Sequence, residues 1–123
     1  PLDKIKLYAG SLVISQVPRA SLDVSDKWQG YPNLPLKGAV QLLKFQSAVK
    51  RILKEIRQPI LVLQGRKDQT VHPAAGELIL QNAGSALKEL HWLERSSHPI
   101  LIDCELEQAA DLTLRFMQKA LKM

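Results

Sequence analysis

Two side chains in this sequence have types and a spacing suited to acid–base chemistry: Asp68 and His98, thirty residues apart. Asp68 follows the unbroken apolar run Ile60-Leu61-Val62-Leu63, which Pro59 bounds in front and Gly65 behind. A short run that is apolar throughout predicts a strand buried on both faces, as in a parallel sheet. His98 follows a second predicted strand, Leu87 to Leu93, on the loop Ser96-Ser97-His98-Pro99. Pro99 disfavours helical backbone at His98 and keeps it extended on the loop. Two neighbouring parallel strands would deliver both residues to one sheet edge, and in open α/β sheets ligands collect at that edge. A carboxylate that accepts from one imidazole nitrogen fixes the tautomer and leaves the other nitrogen free as a general base. Spacing alone is equally compatible with two unrelated polar loop residues.

The other histidines point elsewhere. His91 alternates with Leu90 and Trp92 and reads as a partly exposed strand residue; His72 reads as a helix-boundary residue near Asp68. The sequence holds no His-Glu-x-x-His, no paired cysteines and no Gly-rich turn ahead of a helix, so neither a metal site nor a cofactor is expected.

The elements that must position Asp68 and His98 follow from periodicity. Leu12, Val13 and Ile14 suggest a first short strand over Ala9 to Ser15. Residues 16–36 then lose all periodicity, with Pro18, Gly30, Pro32 and Pro35 among Trp28 and Tyr31. An excursion of that length suits a cap or lid, or a packed surface loop. Lys37 to Ile56 carries a helical apolar stripe of Val40, Leu43, Phe45, Val49, Ile52, Leu53 and Ile56. A second helix is expected from Pro73 to Gly84, with Gly84 as a left-handed C-terminal cap. A third is expected from an Asp103 N-cap, burying Leu106, Ala109, Ala110, Thr113, Phe116, Met117 and Ala120. Strand, loop, helix, strand, helix, strand, helix implies an α/β domain with a parallel sheet and crossover helices.

Composition narrows the classes. The chain has 123 residues, 46% apolar and 24% charged, which is ordinary for a folded domain. The net charge is +5, but no basic run exceeds two residues and aromatics are few, so nucleic acid is not an expected partner. No apolar run approaches the ~20 residues that span a bilayer. The single cysteine, Cys104, excludes an internal disulfide and suits a reducing, cytoplasmic setting.

Two stretches resemble a known family. Gln58-Pro-Ile-Leu-Val-Leu-Gln-Gly-Arg-Lys-Asp-Gln-Thr-Val-His-Pro is similar to the acid-bearing strand and loop of α/β-hydrolases. Leu90-His-Trp-Leu-Glu-Arg-Ser-Ser-His-Pro-Ile-Leu-Ile-Asp is similar to their histidine loop. The likeness is strongest to small bacterial carboxylesterases and monoacylglycerol lipases. It implies a three-layer parallel sheet with crossover helices, the C-terminal part of an α/β-hydrolase fold. It also implies Asp68 as triad acid, His98 as general base, a cap over 16–36 and a small-molecule ester substrate. The family's Gly-x-Ser-x-Gly elbow is absent. Ser11, Ser96 and Ser97 sit on no strand-to-helix turn and are poor substitutes. The nucleophile is therefore expected from the N-terminal half of the fold, on the same or a second chain. An acyltransferase, or a dehalogenase with an Asp nucleophile, would look the same from this half. A non-catalytic binding or assembly module is the alternative. An unpaired sheet edge in a chain of this kind would favour a homodimer.

Overall fold

The structure, a computed structural model, describes residues 36–122. The expected first strand, Ser11 within it, and all but the last residue of the 16–36 excursion lie outside the described residues. The elements run α1 (Leu36–Ile52), a 3-10 turn (Leu53–Glu55), β1 (Ile60–Gly65), α2 (Ala75–Asn82), β2 (Lys88–Leu93), a second 3-10 turn (Ile100–Ile102) and α3 (Leu106–Leu121). The two strands pair in parallel, in register from Ile60 opposite Lys88 to Gly65 opposite Leu93. Parallel neighbours need a crossover, and α2 is that crossover. It packs on both strands through Gly76, whose backbone lies against Val62, Gln64 and Leu90. Because the strands end level with each other, the loops after Gly65 and Leu93 leave the same edge.

The other sheet face meets α3. Ala109 and Phe116 are its buried residues, and the Lys119 ammonium donates to a Glu89 carboxylate oxygen on β2 at 2.5 Å. Leu93, at the end of β2, is fully buried.

Several local expectations differ from what forms. Ile60 to Leu63 are half-buried, not sealed on both faces. Only β2 flanks β1 among the described residues, and Leu61 and Leu63 line an open cavity of about 350 Å³ with Ile100, Leu101 and Thr113. The α1 stripe is only partly buried: Leu53 is inside, whereas Leu43, Phe45 and Ile52 are exposed. Among the described residues its main contact is with the 3-10 turn that follows it, not with a strand. On α3, Leu106, Ala110 and Met117 are likewise exposed. Helix α2 starts at Ala75, not Pro73, because His72 ends the preceding loop: its carbonyl accepts from the Ala75 amide at 2.9 Å and its Nδ1 from the Ala74 amide at 3.1 Å.

Gly84 is no left-handed cap. Helix α2 ends at Asn82, and Ala83 is already extended (φ −69°, ψ 138°). Gly84 is small for a different reason: its amide donates to the Leu53 carbonyl at 3.3 Å, and any Cβ would overlap the Lys54 carbonyl. Nor is Asp103 the N-cap of α3; that position falls to Glu105, whose side chain does not cap either.

Candidate functional site

The acid loop begins with a turn in which the Asp68 amide donates to the Gly65 carbonyl at 3.3 Å. Beyond it the Asp68 carboxylate folds back on its own loop. Oδ1 accepts from the amides of Thr70 at 2.7 Å and Val71 at 3.0 Å, the local bonding Asp favours in turns. This fixes the carboxylate plane and leaves Oδ2 pointing away from the loop. Gln64, buried at the end of β1, secures the far side. Its amide nitrogen donates to the His72 carbonyl at 3.2 Å and its oxygen accepts from the Gly76 amide at 3.0 Å.

The structure brings Asp68 and His98 together: His98 Nδ1 lies 3.0 Å from Asp68 Oδ2. The Asp68 side chain is 7% exposed and the His98 side chain 49%. Burial pushes the Asp68 carboxyl up, but the Val71 amide, His98 and the Thr70 amide outweigh it and hold it below the usual carboxylate value. An ionised carboxylate only accepts hydrogen bonds, so Nδ1 carries the proton in this contact. In the neutral ring the lone pair then falls on Nε2. No described residue forms a hydrogen bond with Nε2.

The two loops are joined by backbone. The Arg66 amide donates to the Leu93 carbonyl at 2.8 Å, and the Lys67 amide to the Ser96 carbonyl at 3.0 Å. Ser96 and Ser97 are both buried. Their hydroxyls are occupied: Ser96 Oγ donates to Glu105 Oε2 at 2.6 Å and Ser97 Oγ to Asp103 Oδ2 at 2.7 Å. Neither hydroxyl faces the Asp68–His98 pair. Asp103 Oδ2 also accepts from the Ser97 amide at 2.7 Å, and Glu105 Oε2 from the Arg95 amide at 2.9 Å.

The remaining histidines stay apart from the pair. His91 Nε2 lies 3.0 Å from Glu89 Oε2 on the sheet face, and His72 bonds its own loop and the start of α2. Among the described residues no cluster of His, Cys, Asp and Glu suits a metal ion. Sequence reading missed Gln64, Asp103 and Glu105 as supports of the site. A lone Gln closing an apolar run, and two carboxylates just past the histidine loop, were the available signals.

Comparison with known proteins gives two findings. The sequence pattern of the family described as serine aminopeptidase, S33, matches residues 10–105. A solved structure from work on LipS and LipT, two metagenome-derived lipolytic enzymes, is similar with a TM-score of 0.68 and 32% identity. The match covers 85% of this chain and 47% of that one, so the chain spans about half the length of that protein.

Proposed function

Because the chain belongs to the serine aminopeptidase S33 family of α/β-hydrolases, we propose that it supplies the acid and the histidine of a Ser-His-Asp triad in a carboxylic-ester hydrolase. The nucleophilic serine lies outside these 123 residues, in the N-terminal half of the fold. The observation that carries this reading is the 3.0 Å contact between His98 Nδ1 and Asp68 Oδ2, with Nε2 on a half-exposed ring. His98 Nε2 takes the serine proton as the hydroxyl attacks the ester carbonyl. It then returns that proton to the departing alkoxide, which leaves as the alcohol. In the second half His98 deprotonates the water that attacks the acyl-enzyme and reprotonates the serine. Asp68 keeps the ring in the Nδ1–H tautomer and stabilises the imidazolium that forms in each step. Ester, not amide, is favoured as the substrate because the similar solved structure is described as lipolytic.

The test is steady-state hydrolysis of p-nitrophenyl butyrate by the complete protein, beside an aminoacyl p-nitroanilide. The reading expects the ester to be the better substrate and His98→Ala to lower kcat by several orders of magnitude. Near-normal kcat in His98→Ala would contradict it.

A further inference from the structure

We propose that Asp103 and Glu105 are positioning residues for the Asp68–His98 pair, clamping the loop that carries His98 and, through Ser96, the loop that carries Asp68. This rests on the reading of that pair as acid and base.

Both carboxylates are buried, at 6% exposure each. Burying a charge is costly unless it is fully hydrogen-bonded, so two such groups side by side need a structural reason. Their bonds give it. Glu105 Oε2 accepts from the Arg95 amide and the Ser96 hydroxyl; Asp103 Oδ2 accepts from the Ser97 amide and hydroxyl. The three consecutive residues before His98 are thus held by side chains from beyond it. Helix capping would require these carboxylates to accept from the first amides of α3, and α3 has no side-chain cap. Apart from those of Asp103 with Cys104, the bonds these carboxylates make among the described residues run back to the histidine loop.

Ser96 is the shared element. Its hydroxyl is fixed by Glu105, and its carbonyl accepts from the amide of Lys67, the residue before Asp68. Freeing Ser96 therefore loosens the anchor of both loops at once, and any unequal movement of the two opens the Nδ1–Oδ2 contact. Misplacement of a catalytic group by about 1 Å costs on the order of 100-fold in rate.

The test uses the complete protein and the variants Glu105→Gln, Asp103→Asn and Ser96→Ala. Each is expected to lower kcat about 10- to 100-fold with little change in KM, and to shift or broaden the downfield Nδ1 proton of His98 in NMR. Ser96→Ala leaves Glu105 bonded to the Arg95 amide, so it decides the matter if Glu105→Gln does not fold. The double variant Ser96→Ala/Glu105→Gln should lose no more than the worse single one, as residues acting as a unit do. Glu89→Gln, which breaks the α3–β2 ion pair away from these loops, should leave kcat unchanged. Wild-type kcat per folded molecule and an unshifted Nδ1 proton in Ser96→Ala, with His98→Ala inactive, overturns the clamp alone. Activity retained in His98→Ala overturns the underlying triad reading, and the clamp's catalytic role with it.

Discussion

Gly65 lies against Ser96 with no room for a side chain between them. A Cβ on Gly65 would overlap the Ser96 carbonyl oxygen and sit 2.8 Å from its carbon, with the Ser97 carbonyl oxygen 2.5 Å away. All three obstacles are backbone, so no rotamer change relieves them. The end of β1 therefore touches the histidine loop directly, and the amide bonds of Arg66 and Lys67 to Leu93 and Ser96 close across that contact.

Gly65→Ala is accordingly expected to destabilise the protein by at least the roughly 1–3 kcal/mol typical of overpacking. Urea denaturation measures it as a lower midpoint with little change in slope. An unchanged midpoint would show that the loops separate without cost.

Acid should unfold the protein through the site's own carboxylates. Asp68 and Asp103 are pushed up by burial, yet their hydrogen bonds outweigh this and hold both low. Glu105 is lowered first by the Ser96 hydroxyl, against burial. Folded values below the unfolded ones mean the unfolded chain binds more protons as pH falls. The stabilisation is present above the ordinary carboxylate range, about pH 4, and is lost as pH drops through the lower folded values. Urea midpoints from pH 7 to pH 3 should fall most steeply in that acid range. Asp103→Asn should start less stable and show a shallower acid limb; an unaltered acid limb counts against the assignment.

Residues 16–36 are proposed to form a cap, from Trp28 and Tyr31 among prolines. Shortening this stretch in the complete protein is expected to change preference between short and long acyl esters more than it changes the melting temperature. Identical selectivity across an ester series would count against a cap.

The 123-residue chain alone is expected to self-associate. Leu114, Met117 and Leu121 form an exposed apolar row on α3, and Leu101 and Phe45 are more than 60% exposed. Exposed apolar surface of this kind marks an interaction face. Sedimentation at micromolar concentration should show dimers or larger species. A monodisperse monomer with a cooperative melt would contradict this.

The apolar run Ile60–Leu63, set between Pro59 and Gly65, was readable as a strand because so short a run has few other folded uses. Two equivalent strand-to-loop junctions placed Asp68 and His98 at one sheet edge, but spacing alone left their contact open, because a side-chain bond depends on loop geometry that the fold supplies. Gly84 and Asp103 were misread because local capping rules were applied where long-range contacts decide. Gly84 must admit the Lys54 carbonyl, and the Asp103 carboxylate finds Ser97 instead of helix amides. The apolar positions of α1 and α3 looked buried because periodicity reports that a face exists, not what covers it. Gln64 showed only as a lone Gln closing an apolar run; its role depends on His72 and Gly76, which only the fold brings to it.

Asp68 and His98 are proposed to activate a serine located outside this chain. Site-mapped labelling of the complete protein with a fluorophosphonate tests it most directly, because the reagent marks a serine only when a base activates it. One labelled serine is expected, N-terminal to these 123 residues, with labelling abolished in His98→Ala. Stoichiometric label on a serine within this chain, or an undiminished labelling rate in His98→Ala, would contradict it.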